Sequence, residues 1–311
     1  MPGYLLRVWR SISGVRNMME LAGVIPPATT PFDAAGGLQP DLVAGQINWL
    51  IDNGAAAVAV GGSTGEGQTL DAAETRDLVS AAQEAAAGRV PVIAGIICDS
   101  TREAVRRGKV LGDLEVAALQ VTPVHYLFRP DDDAMVGHFR ALAGETGQKI
   151  IIYNVVPWTY LSPALLIRIM SEVPDVIGVK QSAGDLKQLA DLMVANLPGK
   201  LIFSAVDALL YPSYMLGAHG SIAAILAAAP GPSVRLWDAV RAGDQARALE
   251  LHEKLLHLWN ALMPHDNLPA ATKYAQHLQA VPSGLPRAPM PSASADQQAA
   301  IKAALQGLDL I

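Results

Sequence analysis

The chain has 311 residues, 51% hydrophobic and 17% charged, which is ample apolar material for one large core. A net charge of −6 with no basic cluster gives no electrostatic footprint for nucleic acid. One cysteine, Cys98, excludes an internal disulfide and a multi-cysteine metal site and fits a reducing, cytoplasmic compartment, and no stretch is apolar enough for a membrane span.

Residues 1–20 carry Arg7, Arg10 and Arg16 with no acid before Glu20, and the apolar runs between the arginines are too short for a signal peptide. They are set aside as a disordered N-terminal extension. From Leu21 the chain alternates. Gly23 to Ala28 reads as a strand ending in T-T-P-F, and Pro40 to Asn53 has helical spacing that stops at Asn53-Gly54. Ala55 to Val60 is a second strand, followed by G-G-S-T-G-E and a helix over Asp71 to Ala87. Val90 to Ile97 and Val116 to Val121 are the next strands, with helices over Thr101 to Leu111 and Asp132 to Glu145. Strands at Lys149 to Tyr153, Val176 to Lys180, Leu201 to Phe203 and Gly220 to Ile225 continue the pattern, with helices over Pro163 to Ser171, Asp185 to Asn196 and Ala208 to Leu216 between them.

Eight strands, each followed by a helical stretch, predict an α/β fold of the (β/α)8 barrel type over residues 21–232. A doubly wound open sheet normally brings a G-x-G-x-x-G turn after its first strand, and none is present. Helices over Val234 to Arg241, Gln245 to Leu262, Asn267 to Leu278 and Ser294 to Leu305 exceed what a barrel needs. Residues 233–311 are therefore a helical C-terminal appendage.

In such a barrel chemistry gathers at the carboxyl ends of the strands. The sixth ends at Lys180, after the apolar run D-V-I-G-V. A lysine there either leaves the sheet for solvent or is buried, and a buried lysine has a lowered pKa and becomes an amine nucleophile towards a carbonyl. The second strand ends at Gly61-Gly62-Ser63-Thr64-Gly65-Glu66, where backbone N–H groups and hydroxyls could cradle a carboxylate or simply form a flexible turn. The fifth ends at Tyr153-Asn154, a hydroxyl for proton relay or a ring for packing. The seventh leads to Asp207, either a helix N-cap or a catalytic carboxylate. No histidine pair has metal-ligand spacing with nearby carboxylates, so no metal is expected.

The order P-A-T-T-P-F, G-G-S-T-G-E, P-V-I-A-G, V-T-P, Y-N, G-V-K-Q-S-A-G-D and L-G-A-H-G-S-I resembles the dihydrodipicolinate synthase / N-acetylneuraminate lyase family, from about Leu21 to the C-terminus. The resemblance implies a homotetrameric class I aldolase barrel that needs no cofactor. Lys180 corresponds to the lysine that forms an imine with a 2-oxo acid such as pyruvate. Ser63 and Thr64, with Gly62, match the carboxylate-binding residues, and Tyr153 matches the proton-shuttling tyrosine. Lys180, Tyr153 and Thr64 are the catalytic candidates. Ser182, Asp207, Ile222, Trp158 and His125 complete the substrate-binding set.

The chain departs from the family at the substrate's other end. Trp158 stands where the synthases carry an arginine after Y-N, and a neutral indole cannot replace a guanidinium clamp on a carboxylate. His125 stands at the synthase relay tyrosine, with Tyr126 beside it. Ala208 and Ala224 replace residues that the sialic acid lyases use. These departures imply an imine-forming lyase or aldolase that is neither a true dihydrodipicolinate synthase nor a true sialic acid lyase. A dehydratase or deaminase of a 2-oxo-3-deoxy sugar acid or cyclic imino acid would use the same imine, and a non-catalytic binding barrel would have lost it.

Overall fold

The computed structural model describes residues 21–311, so the N-terminal extension expected over residues 1–20 lies outside the described residues. Eight parallel strands stand in the order β1-β8-β7-β6-β5-β4-β3-β2. They are β1 (Gly23–Val24), β2 (Val58–Val60), β3 (Val92–Ile96), β4 (Ala118–Val121), β5 (Ile150–Asn154), β6 (Val176–Gln181), β7 (Leu201–Ser204) and β8 (Gly220–Ser221). The ring closes between β1 and β2. Ala56 N–H donates to the Val24 carbonyl at 2.9 Å, Ala59 N–H to Pro26 at 3.0 Å, and Ala28 N–H to Ala59 at 2.8 Å. The fold is a (β/α)8 barrel with additional C-terminal helices, as the alternating pattern predicts.

Helices α1 (Pro40–Asp52), α2 (Ala72–Ala86), α3 (Thr101–Lys109), α4 (Asp132–Thr146), α5 (Pro163–Glu172), α6 (Leu186–Ala195) and α7 (Leu210–Met215) follow the first seven strands. Their starts are written in the sequence. Ser100, Asp131, Ser162 and Asp185 each accept a backbone N–H of the turn they open, and Asp71 with Glu74 forms a reciprocal capping box on α2. The helices cover the outer face of the sheet in one layer of Val, Leu, Ile and Ala, and a second cluster inside the ring joins Ile25, Ala57, Ile93, Ile151, Phe203 and Ile222. The strands are thus buried on both faces, which explains their unbroken apolar runs.

Two predicted strand ends are corrected, the first strand stopping at Val24 rather than Ala28. The eighth strand stops at Ser221 rather than Ile225, and Ile225–Ala228 forms a short helix, α8. The predicted helix over Val234 to Arg241 then begins earlier, as α9 (Pro230–Ala242). Pro230 and Pro232 fit its first turn, where an N–H would have no intrahelical acceptor. The remaining helices, α10 (Gln245–Leu262), α11 (Leu268–Leu278) and α12 (Ala295–Gly307), fall where the periodicity puts them. They pack with α8, α9 and Val24 of β1 in a cluster of their own. No helix among the described residues is long and apolar enough to cross a membrane.

Candidate active site

Parallel pairing sets Tyr153 of β5, Lys180 of β6 and Phe203 of β7 side by side, so their side chains share the inner face of the ring. Lys180 has not left the sheet for solvent: it is 3% exposed. Its Nζ lies 3.6 Å from the centroid of the Tyr153 ring. Burial pulls the lysine down to about 7, while the negative charge of Asp207 acts in the opposite direction. Among the described residues no carboxylate hydrogen-bonds to its amine, so a sizeable neutral fraction exists near neutral pH.

Tyr153 is buried and its phenol donates to Ser63 Oγ at 3.1 Å, joining the strand-five end to the G-G-S-T-G-E loop. Burial pushes this hydroxyl up to about 12, against the effect of the Ser63 hydrogen bond, so the phenol stays protonated at neutral pH and can donate. The loop itself is tightly folded. A Cβ on Gly67 would fall 1.8 Å from the Gly61 carbonyl oxygen, so only glycine permits the chain to turn back on its own start. Gly62 and Thr64 are buried within it and Ser63 is half-buried.

Asp207 is half-buried, and enough protein surrounds its carboxyl to push it up to about 6. The Ile225 backbone N–H donates to it at 2.7 Å. The side chain therefore does cap a helix, but that helix is α8 after the eighth strand and not the one Asp207 precedes. Asn154, the partner of Tyr153 in the Y-N pair, turns away from the site. It exchanges hydrogen bonds with the Leu161 backbone and donates to Gln181 Oε1 at 3.1 Å, pinning the loops after β5 and β6 to one another.

The other sequence-predicted residues lie around this cluster. Ile222 is fully buried in the ring interior, and Ser182, just past β6, has a buried hydroxyl without a partner among the described residues. Trp158 is 69% exposed and its indole N–H donates to the His125 carbonyl at 2.7 Å and to the Tyr126 carbonyl at 3.1 Å. The His125 ring is engaged by the Pro123 carbonyl at 2.9 Å and by Asp99 at 3.2 Å. The structure thus brings Lys180, Tyr153, Ser63 and Asp207 together, and ties Trp158 to the loop after β4 instead of to them.

Sequence reasoning passed over Gln120 and Thr122. Gln120 on β4 and Thr122 just past its end are both buried with hydrogen-bonding atoms that have no partner among the described residues, and the Gln120 amide lies against Gly62. Tyr160 was also missed. Its hydroxyl donates to the Ser182 carbonyl at 3.3 Å, so it closes the rim between β5 and β6. A polar residue inside an apolar strand run is the only sign the sequence offers for Gln120.

A buried lysine at one strand end, a buried tyrosine beside it and a hydroxyl loop within hydrogen-bond reach of that tyrosine gather nucleophile, proton donor and anion cradle at one end of a (β/α)8 barrel, the layout of a barrel enzyme. Residues 20–308 match the dihydrodipicolinate synthetase family, and the chain belongs to it. A 4-hydroxy-tetrahydrodipicolinate synthase of Methanopyrus kandleri is 32% identical over 295 residues, covering 94% of this chain and 98% of the relative. The crystal structure of dihydrodipicolinate synthase from Aquifex aeolicus superposes with a TM-score of 0.87 at 27% identity, covering 93% of this chain and 98% of that one. YagE, a family member from Escherichia coli K12 solved in complex with pyruvate, gives 0.88 at 26% identity, with 94% and 99% covered. The chain is accordingly a lyase of this family.

Proposed function

We propose that the protein forms an imine between Lys180 and a 2-oxo acid of the pyruvate type and makes or breaks a carbon–carbon bond next to it. The observation that carries this is the state of Lys180: buried at a strand end, pulled down to about 7, and hydrogen-bonded to no carboxylate among the described residues. The pyruvate complex of YagE supports the choice of acid.

The chemistry follows from these residues. The neutral Nζ adds to the C2 carbonyl, and the hydroxyl of the resulting carbinolamine leaves as water on taking a proton from Tyr153. The protonated imine is then the electron sink. When the C3–C4 bond breaks, its electron pair enters the enamine, and the C4 hydroxyl becomes an aldehyde by giving up its proton to the relay. Ser63 and Thr64 take the carboxylate. The lysine supplies the electrophile that a cofactor would otherwise provide, so this reading calls for no cofactor or metal.

At the distal end Trp158, Ala208 and Ala224 offer no cation for a second carboxylate and few partners for sugar hydroxyls. The substrate read from them is smaller or less hydroxylated than sialic acid, and is not the synthase's second substrate. A second reading rests on Asp207. Burial raises its carboxyl to about 6, and its charge acts on Lys180 through space, so its protonated fraction can give a proton to a leaving hydroxide, as a 2-oxo-3-deoxy acid dehydratase requires.

Treatment with pyruvate and borohydride followed by intact mass spectrometry tests the shared step. The expected result is a reduced pyruvate adduct on the wild type and none on Lys180→Ala. An unmodified wild type would leave the non-catalytic binding barrel. Product analysis separates the two enzymatic readings: pyruvate plus an aldehyde, against loss of water with the carbon skeleton intact.

A further inference from the structure

Glu66 ends the G-G-S-T-G-E loop, and its carboxylate is taken up entirely by the C-terminal appendage. Oε1 accepts from Lys273 Nζ of α11 at 2.6 Å, and Oε2 accepts from the Arg287 backbone N–H at 2.8 Å. The same ammonium donates to the Leu285 carbonyl at 2.6 Å, and the two side chains are 3% and 1% exposed. Lys273 and the Arg287 guanidinium lie 4.8 and 4.1 Å from the centre of the Phe32 ring. Arg287 continues the connection to the Gly36 and Thr69 carbonyls and to Glu74.

The other half of the observation is local to the loop. Glu66 N–H donates to the Ser63 carbonyl and Gly67 N–H to the Gly62 carbonyl, each at 3.0 Å, so Glu66 is one hydrogen-bonded turn from the hydroxyl that meets Tyr153. Glu66 has φ 54, a left-handed conformation that a residue with a Cβ keeps only where its surroundings hold it. Thr30 holds the next carbonyl, that of Gly65, from the β1 side.

We propose that the Glu66–Lys273 pair is a positioning device for the carboxylate cradle. Through the turn between Glu66 and Ser63, the C-terminal appendage fixes Ser63 and Thr64 in the arrangement that receives the 2-oxo acid. This rests on the imine reading above. A buried ion pair is a weak source of net stability, because desolvation offsets most of the attraction, and in some proteins its role is instead to specify one backbone arrangement. Here the arrangement selected is that of the loop facing Lys180.

The test compares two variants by the pyruvate concentration that half-saturates borohydride trapping and by the limiting trapping rate. Glu66→Gln with Lys273→Met removes the pair and leaves no unpaired buried charge. Asn267→Leu with Gln297→Leu removes a buried hydrogen-bonded pair of the same appendage that does not touch the loop. The expected result is a rise of about tenfold in half-saturation for the first variant, its limiting rate held within about twofold, and neither change for the second. A wild-type half-saturation in the folded first variant, or an equal rise in the second, overturns the proposal. Should the first variant not fold, Thr30→Val removes one bond to the same loop and is expected to raise half-saturation less but in the same direction; no rise contradicts it. A wild type that traps no 2-oxo acid overturns the imine reading with it, a result distinct from wild-type trapping that the variants leave unaltered.

Discussion

Two lysines are buried in this molecule, and their surroundings are opposite. Lys180 and Lys273 are almost equally shielded from solvent, and burial lowers both. Lys273 has the Glu66 carboxylate at 2.6 Å and a backbone carbonyl besides, so its proton is held and it serves as a structural cation. Lys180 has an aromatic face at 3.6 Å and Asp207 acting only through space, so its proton is readily lost. Burial alone therefore does not make a lysine a nucleophile. What sets Lys180 apart is that no carboxylate among the described residues hydrogen-bonds to it, and the proposed imine step depends on that difference.

The largest expected effect breaks the first half of that comparison. Lys273→Met alone strands the Glu66 carboxylate in the interior and is expected to lower unfolding free energy by about 3–5 kcal/mol, measured by urea denaturation. Lys180→Met has the opposite sign, because it removes a buried cation that lacks a bonded partner. A gain in unfolding free energy is expected at pH 7, because the desolvation of the buried amine is no longer imposed. The pH dependence of that gain follows from linkage. The folded-state value of about 7 lies below the ordinary lysine value of 10.5, so the unfolded chain binds the extra proton between them. The wild-type penalty is complete below pH 7 and fades as pH rises towards 10.5, and the advantage of Lys180→Met is expected to fade with it.

A smaller effect sharpens the role of Asp207. Attack on a carbonyl needs the neutral amine, so the trapping rate is expected to rise through about pH 7 and then level off. Asp207→Asn removes the charge that favours the ammonium and is expected to move this midpoint to lower pH. An unmoved midpoint would show that the two groups do not interact. Smallest of all, Trp158→Phe deletes an exposed indole that donates to two carbonyls, and is expected to cost about 0.5–1.5 kcal/mol without altering pyruvate trapping. A lost adduct in that variant would give Trp158 a part in the imine step itself.

These differences also mark what the sequence reveals. The strands announce themselves because both faces are apolar, and most helices because a side chain caps their first turn. Gly220 to Ile225 misleads because Ile222 to Ile225 are apolar in either state, and nothing local says that the chain turns into α8 after Ser221. Lys180 and Tyr153 stand at strand ends, so placing the strands places them. Asp207 is legible as a cap but not as the cap of a helix 18 residues further on, because that pairing depends on how the ring brings β7 and β8 together. The Glu66–Lys273 pair joins residues 207 apart, and its only local sign is a charged residue in the otherwise apolar start of α11. Trp158 is visible as a departure from the family pattern, whereas its bond to the loop after β4 appears only in three dimensions.

The most direct test of the central claim is a site-resolved digest of the pyruvate- and borohydride-treated chain, with both buried lysines read in one experiment. The account predicts a reduced adduct on the peptide containing Lys180 and none on that containing Lys273. An adduct at Lys273, or modification spread over exposed lysines with Lys180 untouched, would contradict it.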